Sequence, residues 1–274
     1  MEALRQVEDW PVGLAAVGVV NAEGPVSTHG DSRATLPWAS VTKLATALTA
    51  LVAAEEGVLE LDEPAGPPGS TVRHLLAHAS GLPPDAEIPI APPGVRRIYS
   101  NAGFEVLARV VADRTEMPFP DYLRLAVLEP LGLTASLDGS PASGVNGTLD
   151  DLLALGRQLL APRLIAPETL AEATAVAFRS LVGVLPGFGR MDPNDWGLGF
   201  ELRDEKRPHW TGERNSPRTF GHFGQSGSFL WVDPEAGLAC ACLTDGRFGD
   251  WAREAWPRLA DAVLDELSGT GAAV

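Results

Sequence analysis

Residues 36–52 read Leu36-Pro37-Trp38-Ala39-Ser40-Val41-Thr42-Lys43-Leu44-Ala45-Thr46-Ala47-Leu48-Thr49-Ala50-Leu51-Val52. From Ser40 onward, Leu44, Ala47, Leu48, Leu51 and Val52 recur at helical spacing. The pattern predicts a largely buried helix over residues 40–56, with Ser40 as N-cap or first-turn residue and Gly57 as its stop. Residues three apart on a helix share a face. Lys43 is therefore expected one turn above Ser40, in the apolar company of Leu44, Ala45 and Ala47. Desolvation there favours the neutral amine, which can take a proton from a hydroxyl. Alone, Ser-x-x-Lys is a common pattern, and without further context a capping serine and a surface lysine are the better reading.

On both sides of this helix the chain reads as strand. Residues 13–20 are apolar and valine-rich, Asn21-Ala22-Glu23-Gly24 supplies a turn, and residues 25–29 read as a returning strand. Near the other end, residues 196–202, 220–224, 228–232 and 238–244 read as strands, with Pro234-Glu235-Ala236-Gly237 as a hairpin turn. A last helix is expected over 251–267, with Trp256, Leu259, Val263 and Leu267 on one face, and disorder is expected only at the ends, as over 268–274. The middle is helical: 71–79 (capped by Ser70 or Thr71), 102–114, 120–127, 149–160 and 167–177, with a proline-rich loop over 81–94. The expected fold class is α/β (α+β). Its antiparallel sheet is built from both termini, residues 1–63 plus 189–274, with an all-helical domain inserted over 64–188.

Composition bounds the partners. The 274 residues are 45% hydrophobic and 21% charged, with a net charge of −15. That charge argues against nucleic acid, whose binders need a basic patch, and against an anionic membrane surface. Cys240 and Cys242, two apart in a strand, point to one face and read as small buried hydrophobes rather than a disulfide or zinc site. The opening residues lack the basic segment and cleavage pattern of a signal peptide, so a cytoplasmic location is expected.

Two further constellations join Ser40 and Lys43. Tyr99-Ser100-Asn101 precedes a helix; the tyrosine can serve as acid or base, and Asn101 can hydrogen-bond Lys43 or a substrate amide. Gly221-His222-Phe223-Gly224-Gln225-Ser226-Gly227 is a glycine-flanked strand along which a substrate carbonyl can lie. Order and spacing resemble the β-lactamase/penicillin-binding-protein superfamily of serine hydrolases, in the class C β-lactamase branch, where the second motif is Tyr-x-Asn. Arg73-His74-Leu75-Leu76-Ala77-His78-Ala79-Ser80-Gly81-Leu82-Pro83 is very like a family hallmark. The segments 57–64, Pro93-Gly94, 130–133, Trp196-Gly197-Leu198-Gly199 and Trp231-Val232-Asp233-Pro234 extend the likeness over most of residues 36–245.

The resemblance implies a catalytic set of Ser40 as nucleophile with Lys43 and Tyr99 sharing the proton transfers. Asn101, His222 and Gly224 would bind or orient substrate, and the backbone N–H groups of Ser40 and Gln225 would form an oxyanion hole. It implies no cofactor and no metal, and a small-molecule ester, amide or β-lactam substrate. Where β-lactamases and D-alanyl-D-alanine peptidases carry Lys-Thr-Gly, this chain has His222-Phe223-Gly224. A mostly neutral histidine and a phenylalanine without a hydroxyl weaken the grip on a substrate carboxylate. Esterase action is therefore favoured over D-alanyl peptidase or β-lactamase action, and all three over a non-catalytic binding homologue, because serine, lysine and tyrosine are all present.

Three competing motifs carry less. His74 and His78, four apart on an expected helix, lack the glutamate of a zinc-binding His-Glu-x-x-His. Gly30-Asp31-Ser32 is like a lipase motif without its later partner. A Ser40–His222–Asp triad lacks the Gly-x-Ser-x-Gly elbow.

Overall fold

The computed structural model describes residues 1–270. Its centre is a six-stranded antiparallel sheet of β1 (Ala15–Val20), β2 (Pro25–His29), β3 (Glu201–Leu202), β4 (Phe220–Gly224), β5 (Ser228–Asp233) and β6 (Leu238–Thr244), in the order β2-β1-β6-β5-β4-β3. Strands from the two ends of the chain meet at the β1–β6 pair, where Ala16 faces Leu243 and Val20 faces Ala239. The mixed α/β class expected from the sequence is therefore the class observed.

Alternation along the strands sorts side chains onto two faces. On one face Leu230, Val232, Ala239, Ala241 and Leu243 join α1 (Thr42–Glu55) and a helical layer in a single core. The helices of that layer are α2 (Val72–Leu76), α3 (Asn101–Thr115), α4 (Phe119–Leu123), α5 (Leu149–Leu160) and α6 (Pro167–Ala173). Helix α5, from within the 64–188 segment, lies directly on β1, β5 and β6. On the other face Val17, Val19, Phe229, Trp231, Cys240 and Cys242 pack under Trp256, Leu259 and Val263 of α7 (Asp250–Thr270). Both cysteines are thus free, buried and on one face. The disorder expected over 268–274 is replaced by helix as far as residue 270; residues 271–274 lie outside the described residues. Among the described residues, no helix is long and apolar enough to cross a membrane.

Local chemistry moves several expected boundaries. Thr71 caps α2 by accepting the His74 N–H, but the helix ends at Leu76 because His78 turns into the left-handed region at φ 53°. Helix α6 stops at Ala173 rather than residue 177. Only Glu201–Leu202 of the expected strand over 196–202 pairs with the sheet, because Gly199 takes φ 89° and turns the chain before it reaches the edge. Short strands that the sequence pattern did not reveal lie within and beside the middle segment. Leu36–Pro37, Val145–Gly147 and Ser136–Leu137 form a small sheet, and Gly183–Leu185 pairs with Gly189–Met191. Each is two or three residues long, too short for a periodicity to register.

The small sheet and the large one together fix the entry to α1. The Trp38 N–H donates to the Val145 carbonyl at 2.9 Å. The Ser226 and Ser228 hydroxyls donate to the carbonyls of Pro37 and Trp38, each at 2.7 Å. Between these ties Ala39 is held at φ 45°, and residues Ala39–Val41 form a 3₁₀ turn that feeds α1. Gly224 closes the gap: a Cβ there would stand 2.6 Å from the Trp38 carbonyl and 2.9 Å from the Ala39 Cβ. Gly224→Val is expected to push β4 away from residues 38–39 and to destabilise the fold by about 1–3 kcal/mol. Chemical denaturation measures this; a variant as stable as the parent would contradict the packing.

Candidate active site

Ser40 sits in the 3₁₀ turn, ahead of α1, and caps nothing with its side chain. This corrects the expectation of Ser40 as N-cap: the positive φ of Ala39 sets the turn, and α1 begins only at Thr42. The three-residue spacing still delivers its result. Lys43 Nζ lies 3.3 Å from Ser40 Oγ, on a side chain with no exposed surface.

The partners of Lys43 define its protonation state. Nζ lies 2.7 Å from Asn101 Oδ1 and 2.9 Å from the Ala142 carbonyl oxygen, and both accept hydrogen bonds from it. Burial lowers its pKa from 10.5 to about 7, against the opposing pull of the Asp85 and Glu105 carboxylates. The net bias against the ammonium is on the order of 5 kcal/mol. A neutral amine has two N–H groups and one lone pair. The ammonium donates to all three neighbours; in the neutral form Asn101 Oδ1 and the Ala142 carbonyl, which only accept, hold the two N–H groups and the lone pair is left for the Ser40 hydroxyl.

Tyr99 and Asn101 come from the start of α3. Ser100 is its N-cap and accepts the Gly103 N–H at 2.9 Å, while its own hydroxyl donates to the Pro83 carbonyl. The cap holds Tyr99 and Asn101 on either side of it, with the Tyr99 hydroxyl 2.8 Å from Ser40 Oγ. Burial pushes the phenol pKa above its ordinary value, so Tyr99 is a neutral donor to Ser40. The Asn101 amide donates to Asp85 Oδ1 at 2.9 Å, which fixes its oxygen toward Lys43.

The third segment lies on β4. His222 is 3% exposed and stands behind Tyr99 and Trp196, with ring centroids 5.8 and 5.5 Å away. Its Nδ1 donates to the Phe223 carbonyl at 2.7 Å, which leaves Nε2 unprotonated and without a hydrogen-bond partner. Burial, reinforced by nearby Lys43, lowers its pKa to about 3, so the ring is neutral. Phe223 points to the opposite face, against Phe229's side of the sheet, Trp210 and Trp256. The hydroxyl that phenylalanine lacks therefore concerns the α7 core. Gln225 follows Gly224 at the turn of the β4–β5 hairpin, beside the strand's contact with residues 38–39.

The competing motifs do not assemble. With its Nδ1 on a backbone carbonyl, His222 has no orienting carboxylate for a triad. His74 bonds Thr71 and stacks on Phe178, whereas His78 lies past the end of α2, so the two share no helix face. Ser32 bonds Asp150 at 3.2 Å.

Sequence reasoning missed several contributors. The Ala142 carbonyl and the carboxylates of Asp85 and Glu105 reach Lys43 from loops and a helix far along the chain, and no spacing announces them. His78 accepts the Ser100 N–H on Nδ1 at 3.1 Å, and its ring lies 4.6 Å from that of Tyr99. It was legible only as part of the 73–83 text, where it was weighed as a metal ligand rather than as a support for Tyr99.

The family model described as Beta-lactamase matches residues 7–265. The chain is similar to a crystal structure of a beta-lactamase from Mycobacterium bovis, at 53% identity and a TM-score of 0.95, covering 96% of this chain and 98% of that one. It is 26% identical to penicillin-binding protein 4 of Amycolatopsis lactamdurans, over 97% of this chain and 87% of that protein. EstCE1, a hydrolase with promiscuous acyltransferase activity, shares the fold at 18% identity and a TM-score of 0.80, over 96% and 97% of the two chains.

Buried Lys43 makes stability depend on pH in a set direction. Its amine is neutral in the folded chain above about pH 7 but is protonated in the unfolded chain up to its ordinary value of 10.5. The burial penalty is full below pH 7 and is relieved as pH rises toward 10.5. Lys43→Met carries no such penalty. Its unfolding free energy, relative to that of the parent, is therefore expected to fall by about 2 kcal/mol between pH 7 and 9. Urea denaturation at the two pH values checks this; a difference independent of pH would contradict the lowered pKa.

Proposed function

The chain belongs to the beta-lactamase family of serine hydrolases, and from that premise we propose that it cleaves esters, or amides, that lack a carboxylate, through an acyl-enzyme on Ser40. The observation that carries this reading is the buried Lys43 amine, 3.3 Å from Ser40 Oγ and hydrogen-bonded to Asn101 Oδ1 and the Ala142 carbonyl. Lys43 takes the Ser40 proton as the oxygen attacks the acyl carbon. Negative charge on the carbonyl oxygen is assigned to the backbone N–H groups of Ser40 and Gln225, which follow the two segments that touch where Gly224 passes residues 38–39. Tyr99 gives its proton to the leaving group and regains one from protonated Lys43, whose Nζ lies 4.8 Å from the centre of the tyrosine ring. Water then enters the leaving group's place, and the same groups return the protons as the acyl group departs.

His222 supports the preference for substrates without a carboxylate. It is neutral and enclosed, so no permanent cation stands at this position of β4. A missing charge-assisted hydrogen bond costs on the order of 1.5–3 kcal/mol, about tenfold to a hundredfold in affinity. The intact Ser40–Lys43–Tyr99 contacts favour an enzyme over a binding homologue. A second reading, β-lactam hydrolysis, is favoured by the 53% identity to the Mycobacterium bovis beta-lactamase.

A fluorophosphonate probe is expected to label Ser40, located by mass spectrometry, and Ser40→Ala is expected to lose both labelling and turnover. In a panel of a short-chain nitrophenyl ester, a chromogenic cephalosporin and a D-alanyl-D-alanine peptide, the ester is expected to lead by at least about tenfold in kcat/KM. Labelling elsewhere would sink the mechanism, and efficient cleavage of the cephalosporin or the peptide would sink the substrate preference.

A further inference from the structure

Beside the reacting groups lies a cleft of about 370 Å³ lined by Pro84, Ile90, Ile98, Tyr99, Val184 and Pro186. Two chain segments form it, residues 84–99 and 182–190. They are joined where the Arg97 N–H donates to the Val182 carbonyl at 3.0 Å and Gly183 lies against Arg97, too close for any Cβ. The buried Arg97 guanidinium anchors the same junction by donating to the carbonyls of Ala77, Ala177, Phe178 and Asn194. The two walls of the cleft are therefore tied to each other through the backbone.

Exposed apolar surface is concentrated here. Among the described residues seven large hydrophobic side chains are exposed, and four of them, Ile88, Ile90, Val95 and Val184, belong to these two segments. Of these, Ile90, 62% exposed, and Val184, 58% exposed, line the cleft itself. Apolar surface gathered beside a reacting centre marks a place where a ligand supplies the missing contact. Arg96 and Arg190 stand at the same cleft, and Arg190 is paired with Asp192, so the local charge disfavours a cationic occupant.

We propose that this cleft holds the leaving group of the substrate, an apolar, non-cationic alcohol of several carbons. The inference rests on the hydrolase reading above. The side follows from Tyr99: its ring lines the cleft while its hydroxyl is 2.8 Å from Ser40 Oγ. Asn101 lines a separate cavity, with Asp85 and Glu105, and the acyl group is assigned to that side. In the first step the bond between acyl carbon and alcohol oxygen breaks as the Ser40 ester forms. The alcohol oxygen takes the Tyr99 proton, and the Ser40 proton passes through Lys43 to restore the phenol.

Ethyl, butyl and hexyl acetate keep one acyl group and nearly one leaving-group basicity, so they isolate the cleft. Each methylene buried is expected to raise kcat/KM about three- to fourfold until the cleft is filled. Ile90→Ser and Val184→Ser are expected to flatten the series, lowering kcat/KM severalfold more for hexyl acetate than for ethyl acetate. Equal turnover of the three acetates, or a chain-length dependence sensitive to Val184→Ser only when the acyl group is lengthened instead, would overturn the assignment. A second readout does not depend on turnover. Hexanol is expected to shift the methyl resonances of Ile90 and Val184, in the Ser40→Ala variant as well, and no shift would overturn the proposal. If Ser40 takes no probe and no ester is cleaved while hexanol still binds, the hydrolase reading fails and the cleft assignment stands as a binding site.

Discussion

Burial of one lysine amine against one serine hydroxyl is the constraint on which the site depends. Lys43 has no exposed surface, and its amine has three neighbours within 3.3 Å: Ser40, Asn101 and the Ala142 carbonyl. Burial makes the charged amine costly there, and once a proton is lost the two remaining N–H groups still meet two acceptors while a lone pair is left for the hydroxyl. The rest of the architecture keeps those neighbours in place. The α3 cap positions Asn101 and Tyr99, the Asp85 carboxylate orients the Asn101 amide, and β4 with its following turn pins residues 37–39 ahead of the serine.

The two ends of the chain serve this arrangement differently. The six-stranded sheet supplies a rigid edge along which His222 and Gly224 present one face and the α7 core takes the other. The helical layer contributes the polar groups. Charge separates along with these roles: Lys43 and His222 are driven toward neutrality and Tyr99 remains a phenol, all mainly by burial. A site built from neutral groups shuttles protons between them and offers a substrate carboxylate no fixed cation at residue 222.

Much of this was legible in the sequence because it is local. The Ser40–Lys43 separation follows from helical periodicity, and the strands of the C-terminal sheet follow from alternation and turn residues. What was hidden is set by backbone conformation or by contacts distant in the chain. The left-handed Ala39 moves the start of α1 past Ser40, and the turn at Gly199 shortens the expected strand to two residues. The Ala142 carbonyl lies 99 residues from Lys43. Phe223 was weighed as a lost hydroxyl in the site, whereas the pleat turns it into the opposite core. Side-chain direction on a strand is predictable in alternation, but which face is the working one is decided by the tertiary packing.

The account's central claim is that Lys43 is the base for Ser40, and one paired titration tests it. Site-resolved NMR of the Lys43 Cε, recorded on the same protein as the pH dependence of Ser40 phosphonylation, gives two midpoints. Both are expected near pH 7, with labelling faster on the alkaline side. A Lys43 midpoint close to its ordinary value of 10.5, while labelling still rises near 7, would contradict the claim and assign the proton to another group.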